Sequence, residues 1–193
     1  MAEQITAENA PSVTIVIPVY NGMSTLKDCL DSLERLDYPG ELETIIVDDG
    51  STDGSGEYCR ERGYQVIRQE NQGPGIARNT GSKEAKGEYL VFTDADCIMD
   101  SDFVTEIVKP LLGTDIVGSQ GRFYSTQKNL VARFIQHEIG ERVSRLEQSE
   151  YTDWIATYAA CYRKDIFLEN GGFCEIYSSE DCELSFRLAK KGY

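Results

Sequence analysis

The first 93 residues alternate between short apolar runs and segments with helical spacing of apolar residues. Apolar runs occupy residues 13–17, 42–47 and 89–92, and a weaker one occupies 64–68. Continuous β-branched and aromatic runs of this length are typical of strands buried on both faces. Helical spacing between them is clearest at Leu26, Cys29, Leu30 and Leu33. The alternation predicts an α/β fold with a mainly parallel central sheet and helices on both faces.

The second half of the chain is less regular but predicts further helices and strands. Helices are predicted at residues 102–112, 127–147, 164–169 and 180–190, and strands at 115–121 and 155–162. The pattern at 127–147 is long and amphipathic. Residues 1–11 are polar and lack the apolar segment of a signal peptide. We therefore expect a disordered tail over 1–11, followed by one domain over 12–193.

Acidic residues directly follow two of the predicted buried strands. Asp48 and Asp49 end one strand, and Asp94 and Asp96 follow another. The carboxyl ends of parallel strands meet at one edge of an open sheet, where such folds bind ligands. The alternative interpretation is that these acids merely begin helices, where negative charge is favourable. This interpretation suits Asp100 better than it suits the two acidic pairs. Because carboxylate oxygens are preferred ligands of hard divalent cations, the sequence predicts a metal-held anionic substrate at this edge.

Net charge and cysteine usage argue against several functional classes. The formal net charge of −14 disfavours a nucleic-acid partner, whose phosphates a protein neutralises with basic side chains. The six cysteines include no Cys-x-x-Cys pair, and His137 is the single histidine of the sequence. This composition argues against a zinc site and is typical of a protein in the reducing cytoplasm. No apolar run approaches the ~20 residues that span a bilayer.

Two glycine-containing segments match familiar motifs only in part. Residues 73–78 (GPGIAR) begin like a dinucleotide fingerprint, but Arg78 replaces its third glycine, so a Rossmann site fits poorly. Arg78 at a helix start remains a candidate phosphate contact. Residues 49–54 (DGSTDG) resemble the start of a calcium loop, but Arg60 stands where a bidentate glutamate belongs. We therefore reject a calcium site of that type.

Taken together, five blocks of the sequence resemble the family 2 glycosyltransferases, which have the GT-A fold. The blocks are residues 13–21 (VTIVIPVYN), 46–53 (IVDDGSTD), 71–81 (NQGPGIARNTG), 93–96 (TDAD) and 179–187 (SEDCELSFR). Each block alone is weakly specific. Five blocks in the family's order and spacing, covering residues 12–193, are highly specific.

The resemblance implies a role for four residues in binding the nucleotide of the donor. Pro18 and Tyr20 are expected to line the base pocket, with Tyr20 against the ring. Asp49 is expected to accept a hydrogen bond from the base. Arg78 is expected near the nucleotide or its phosphates.

The resemblance also implies the metal and catalytic residues. Asp94 and Asp96 match the family's Asp-x-Asp motif, with Asp94 near the ribose and the metal waters and Asp96 as the direct ligand of Mn²⁺ or Mg²⁺. Asp181 matches the catalytic base, and Glu180 is expected to shape the acceptor pocket. The implied activity is inverting transfer of a sugar from a UDP-linked donor to a saccharide or lipid-linked acceptor.

The resemblance further implies a domain that continues beyond residue 193, where many family members carry a histidine that completes the metal site. Membrane segments there would place the protein at the cytoplasmic face of a membrane.

Three other functions remain open. A non-catalytic nucleotide-sugar-binding domain is the main alternative. An Asp-x-Asp phosphatase would leave the first 90 residues without a role, and a nucleotidyltransferase would need a glycine-rich basic loop after the first strand.

Overall fold

The computed structural model describes residues 5–125, 127–146, 152, 154–176 and 179–193, with the backbone alone at 139 and 142–146. Residues 1–4 of the predicted tail and residue 147 of the predicted long helix lie outside this set. The segment 6–10, within the predicted tail, forms a turn in which the backbone N–H of Ala10 donates to the carbonyl of Thr6. Ile5 packs against the apolar core.

A six-stranded sheet forms the centre of the described part of the molecule. Its strands are β1 (Val13–Val19), β2 (Leu42–Asp48), β3 (Gln65–Arg68), β4 (Tyr89–Thr93), β5 (Gly118–Gln120) and β6 (Ala159–Arg163). Their order across the sheet is β3-β2-β1-β4-β6-β5. The first four strands are parallel, whereas β6 runs antiparallel to both β4 and β5. The predicted mainly parallel sheet is confirmed.

Seven α-helices flank or follow the strands in the described part of the chain. They are α1 (Met23–Leu33), α2 (Ser55–Glu61), α3 (Pro74–Glu84), α4 (Phe103–Val108), α5 (Leu130–Leu146), α6 (Lys164–Glu169) and α7 (Glu180–Lys190). The single helix predicted at 102–112 is wrong in its second half, because a 3-10 turn at Lys109–Leu111 follows α4. Pro110 causes this break, since proline has no N–H to continue the α-helical ladder.

Apolar side chains cover both faces of the sheet. Ile15 and Ile17 of β1 belong to one buried cluster, and Val16 belongs to the other, as expected for alternating strand positions. Helices α1, α2 and α4 contribute to the first cluster. Helices α3, α6 and α7 contribute to the second. Helices therefore lie on both faces, as predicted.

Four aromatic side chains form the centre of the second cluster. Phe92, Tyr162, Phe167 and Phe173 are each almost fully buried. Their ring centroids lie 5.1–6.2 Å apart in tilted and edge-on pairs. Such pairs add to the stabilisation that burial of the rings provides. The cluster packs β4, β6, α6 and the segment before α7 against one another.

The helix α5 presents its apolar residues to solvent. Leu130 is 82% exposed, and Val131, Phe134 and Ile135 are also exposed. The helical period of the sequence predicts that these residues share a face, but it does not specify what covers that face. No helix among the described residues is long and apolar enough to cross a membrane.

Helix α3 packs closely on the sheet because of Gly81. A Cβ at this position would lie 2.4 Å from Cγ1 of Val16 and 3.1 Å from Cγ2 of Val47. Gly140 on α5 is also helical, but a Cβ there would meet no atom within 4 Å. Comparing an alanine substitution at each of these two glycines therefore distinguishes the effect of close packing from the effect of helix propensity.

We expect Gly81→Ala to lower the free energy of unfolding by about 1–3 kcal/mol, because the added methyl overpacks the contact with β1. The matched variant Gly140→Ala should raise it by about 0.5–1 kcal/mol, since alanine favours a helix. Urea denaturation measures both values. Equal effects of the two substitutions would contradict this packing of α3.

Candidate functional site

A cavity of about 520 Å³ lies at the carboxyl ends of β1, β2 and β4. The sheet order changes direction between β1 and β4, and this switch point is the usual ligand site of open α/β sheets. Six of the predicted site residues line the cavity, namely Pro18, Tyr20, Asp49, Arg78, Asp94 and Asp96. A larger cavity of about 1210 Å³ along β5, β6 and α7 contains none of the predicted residues. We place the site at the smaller cavity because the carboxylates converge there.

Side chains of the loop after β2 fix the turn that follows Tyr20. Asn21 adopts a left-handed backbone with φ 49°, and its Oδ1 accepts the N–H of Thr52 at 2.8 Å. The next backbone N–H groups donate to side chains of this loop and of the first residue of α2, Asn21 to Ser51, Gly22 to Ser55 and Met23 to Asp53, each at 3.0 Å. Tyr20 itself is 57% exposed. Its ring is therefore free to contact a ligand while its backbone is held in place.

Asp49 binds the loop that leads into α3. Its Oδ1 accepts the side-chain amide of Gln69 at 2.8 Å and the backbone N–H of Gln72 at 3.0 Å. Its Oδ2 accepts the backbone N–H of Gly73 at 2.9 Å. Asp49 is 2% exposed, so these bonds compensate for burying its charge. Because a carboxylate oxygen has two lone pairs, Oδ2 can accept one further hydrogen bond.

Arg78 lies between two carboxylates at the wall of the cavity. Its Nη2 donates to Oδ1 of Asp94 at 2.5 Å, and its Nη1 donates to Oε1 of Glu180 at 3.1 Å. Arg78 is 3% exposed, and its guanidinium also lies over the ring of Phe173. The Nε of Arg78 is buried and has no hydrogen-bond partner among the described residues. The contact joins the end of β4 to the start of α7.

Asp94, Asp96 and Cys97 form a group that can hold a cation. One ligand atom from each side chain lies within 4.8 Å of the others. Sequence analysis missed Cys97, although its place directly after Asp96 was a signal that could have indicated it. Burial, together with the charge of Asp94, raises the pKa of the Cys97 thiol. A protonated, soft sulfur is a poor ligand for Mg²⁺ or Mn²⁺, so the two carboxylates are the suitable donors.

The structure places Glu180 and Asp181 at the start of α7. Among the described residues, the lining of the smaller cavity includes neither of them. Glu180 is 8% exposed and contacts Arg78, which connects it to Asp94. The Oδ1 of Asp181 accepts the backbone N–H of its neighbour Cys182 at 2.7 Å. Asp181 is half-buried beside the carboxylate that Arg78 holds.

Comparison with known proteins identifies the family. The family model of glycosyl transferase family 2 matches residues 14–170. The chain belongs to glycosyl transferase family 2. The resemblance seen in the sequence is confirmed.

Relatives extend well beyond the length of this family 2 chain. Glycosyltransferase GlyA of Streptococcus pneumoniae is 35% identical over 134 residues, which is 67% of this chain and 19% of that protein. Glycosyltransferase AglE of Haloferax volcanii is 29% identical over 197 residues, which is 95% of this chain and 63% of AglE. The chain therefore spans less than two thirds of either relative.

Solved structures confirm the GT-A fold of this family 2 chain. The mannosyltransferase PcManGT of Pyrobaculum calidifontis, solved with GDP-Man and Mn²⁺, superposes with a TM-score of 0.78 over 97% of this chain and 55% of that one. Its sequence identity is 24%. Glucosyl-3-phosphoglycerate synthase of Mycobacterium tuberculosis, solved with UDP, has a TM-score of 0.68 at 21% identity over 96% of this chain and 68% of that one.

We expect Arg78→Ala to lower the free energy of unfolding by about 3–5 kcal/mol, because Glu180 and Asp94 would lose their buried counter-charge. Arg60→Ala is the matched control, since Arg60 forms an exposed pair with Glu57. It should cause a much smaller loss, because exposed ion pairs contribute little. Urea denaturation of both variants gives the comparison. An Arg78→Ala protein as stable as the control would show that the buried pair is not a stabilising contact.

Proposed function

We propose that this domain transfers a sugar from a UDP-linked donor to an acceptor hydroxyl, with inversion at the anomeric carbon and with a divalent ion. The observation that carries the proposal is the convergence of the six predicted donor-side residues on one cavity at the carboxyl edge of the sheet. Family membership supports the reaction class. The cavity volume is within the range of pockets that bind small molecules.

The nucleotide would occupy the cavity between Tyr20 and Asp49. The exposed ring of Tyr20 offers a face on which a base can stack. The remaining lone pair on Oδ2 of Asp49 offers an acceptor for a base N–H. Uracil is our proposal from the family resemblance. The solved neighbours named above carry GDP-Man in one case and UDP in another, so the identity of the base has to be determined by experiment.

Asp94 and Asp96 are the proposed ligands of Mn²⁺ or Mg²⁺. Their oxygen donors suit either ion, and their proximity fits a site that holds one cation. When bound, such an ion stabilises the negative charge that develops on a departing nucleotide diphosphate. Arg78 orients Asp94 through a 2.5 Å contact with Oδ1, and Oδ2 remains outside that contact. The net charge of −14 makes a local cation important for binding an anionic donor.

Asp181 is the proposed base that removes the proton of the acceptor hydroxyl. It stands beside Glu180, which is tied to the metal half of the site through Arg78. One base and one in-line displacement invert the anomeric carbon, whereas retention requires a second carboxylate as nucleophile. We propose that Glu180 shapes the acceptor side from its buried position. The proposed acceptor is a saccharide or a lipid-linked saccharide, met in the cytoplasm.

A non-catalytic nucleotide-sugar-binding domain is the second candidate. The observation that favours it is the absence of Asp181 from the described lining of the donor cavity. A phosphatase is disfavoured, because the glycosyl transferase family 2 model matches residues 14–170, including the first 90 residues that a phosphatase would leave without a role. A thermal-shift screen of UDP-, GDP- and other nucleotide sugars with Mn²⁺ or Mg²⁺, followed by a transfer assay, separates these functions. Binding without transfer or donor hydrolysis would support the second candidate.

Asp96→Ala is expected to remove the Mn²⁺-dependent part of UDP binding. Loss of even an outer-shell partner lowers metal affinity by about 10–100-fold, and a direct ligand contributes more. Isothermal calorimetry with and without Mn²⁺ measures the effect. Asp100→Ala is the matched control, because Asp100 is an exposed acid just beyond the same group. Unchanged UDP affinity of Asp96→Ala in Mn²⁺ would refute the metal assignment.

Asp181→Asn should leave donor binding intact and lower kcat for transfer by about 10²–10⁴-fold, the usual contribution of a positioned base. The substitution preserves the size of the side chain and removes its basicity. Steady-state kinetics together with calorimetry separate the two effects. Normal turnover by this variant would eliminate Asp181 as the base.

A further inference from the structure

The side chain of Asn79 on α3 makes a two-point contact with the backbone of Phe173. Its Nδ2 donates to the carbonyl of Phe173 at 2.7 Å, and its Oδ1 accepts the N–H of the same residue at 2.9 Å. The amide thus pairs with this residue much as a neighbouring strand would. Two hydrogen bonds to one residue fix both the position and the orientation of that backbone segment.

The same segment is held from its other side by α7. Arg187 donates from Nη2 to the carbonyl of Gly172 at 2.8 Å and from Nη1 to the carbonyl of Asn170. Glu183 in turn accepts a charge-assisted bond from Nε of Arg187 at 2.8 Å, and this ion pair lowers the pKa of the Glu183 carboxyl. The segment 170–173 is therefore bonded to both α3 and α7.

The side chain of Asn79 packs tightly against the segment that it binds. Gly172 has φ +64°, and a Cβ there would lie 2.4 Å from Oδ1 of Asn79. Phe173 also belongs to the aromatic cluster, with its ring 5.3 Å from that of Phe92 on β4. The contact thus lies where glycine backbone and buried rings leave little freedom for the segment to shift.

Two adjacent residues of α3 contact the first residue of α7 and a residue that precedes this helix. Arg78 binds Glu180, the first residue of α7, and Asn79 binds Phe173, shortly before that helix. The N-terminal end of α3 follows Gly73, whose N–H donates to Asp49 in the donor cavity. Helix α3 therefore follows the loop that Asp49 holds, and it contacts both Glu180 and the segment 170–173 that Arg187 of α7 binds directly.

We propose that Asn79 is a positioning residue for transfer: through Phe173 it sets where α7 begins and so where Asp181 stands relative to the bound donor. The inference rests on the proposed function. Asn79 is outside the described lining of the donor cavity, so it acts on Asp181 through the backbone and does not touch the donor. Catalytic groups require placement within about 0.5 Å, which a fixed supporting contact provides.

The test is the kinetics of Asn79→Ala with saturating acceptor. We expect kcat to fall by about 10²-fold, the cost of misplacing a catalytic group by roughly 1 Å. The KM for the donor and the affinity for UDP with Mn²⁺ should stay within about threefold of the wild type, since Arg78 keeps its own ion pairs with Asp94 and Glu180. A general loss of structure would instead weaken donor binding as well.

Two further variants make the test specific. Asn79→Asp has the same shape and keeps the acceptor for the Phe173 N–H, but it loses the donor to the carbonyl. Its carboxylate would also face the carbonyl oxygen of Phe173, so the two-point contact is lost without loss of side-chain volume. We expect the same direction of change in kcat, and circular dichroism together with UDP binding in Mn²⁺ reports whether the variant is folded. Asn9→Ala is the control, because Asn9 is an exposed asparagine in the turn before β1. It should leave kcat and KM unchanged.

The outcomes separate this inference from the proposed function. Wild-type protein that binds UDP with Mn²⁺ but transfers no sugar contradicts the proposed function. Wild-type transfer with normal kcat in both Asn79 variants overturns only the positioning role. A parallel loss of kcat and of UDP affinity in Asn79→Asp also overturns it, because a role confined to Asp181 leaves donor binding intact.

Discussion

Arg78 lies buried between two carboxylates from distant parts of the chain, and the arrangement of the site depends on this contact. A guanidinium that is 3% exposed would be costly without partners, and Asp94 and Glu180 supply them. In return, Arg78 balances part of the negative charge that gathers at the carboxyl edge. It also joins β4, α3 and α7 at one point. The proposed metal ligand Asp94 and Glu180, the neighbour of the proposed base, therefore share a single supporting contact.

The part of the site around Tyr20 and Asp49 is organised by hydrogen bonds between side chains and backbone. Asp49 fixes the loop that enters α3, while side chains after β2 cap the turn behind Tyr20. Loops are usually the mobile part of an α/β domain. Here their N–H groups are bonded to buried or half-buried side chains, so the cavity is largely formed before a ligand enters. Preorganisation of this kind reduces the ordering that binding requires.

The sequence predicted those parts of the fold and site that depend on local pattern. The buried runs gave the strands, and because carboxyl ends of parallel strands meet, Asp49, Asp94 and Asp96 could be expected together. The pairing of Arg78 with Glu180 spans 102 positions, and no periodicity encodes a contact at that distance. The contact between Asn79 and Phe173 was missed for the same reason. The exposure of the apolar face of α5 could not be predicted either, since a hydrophobic stripe does not specify which part of the protein packs against it.

The position of β4 in the sheet also bears on how the domain folds. Tyr89 at its start pairs with Val13 on one side and with Arg163 on the other. Both partners are far away along the chain, so β4 closes long loops before it gains its neighbours. Such high contact order slows folding. The pairing that brings the acids after β2 and those after β4 to one edge of the sheet should therefore form late, so a partly folded chain lacks this assembled acidic edge.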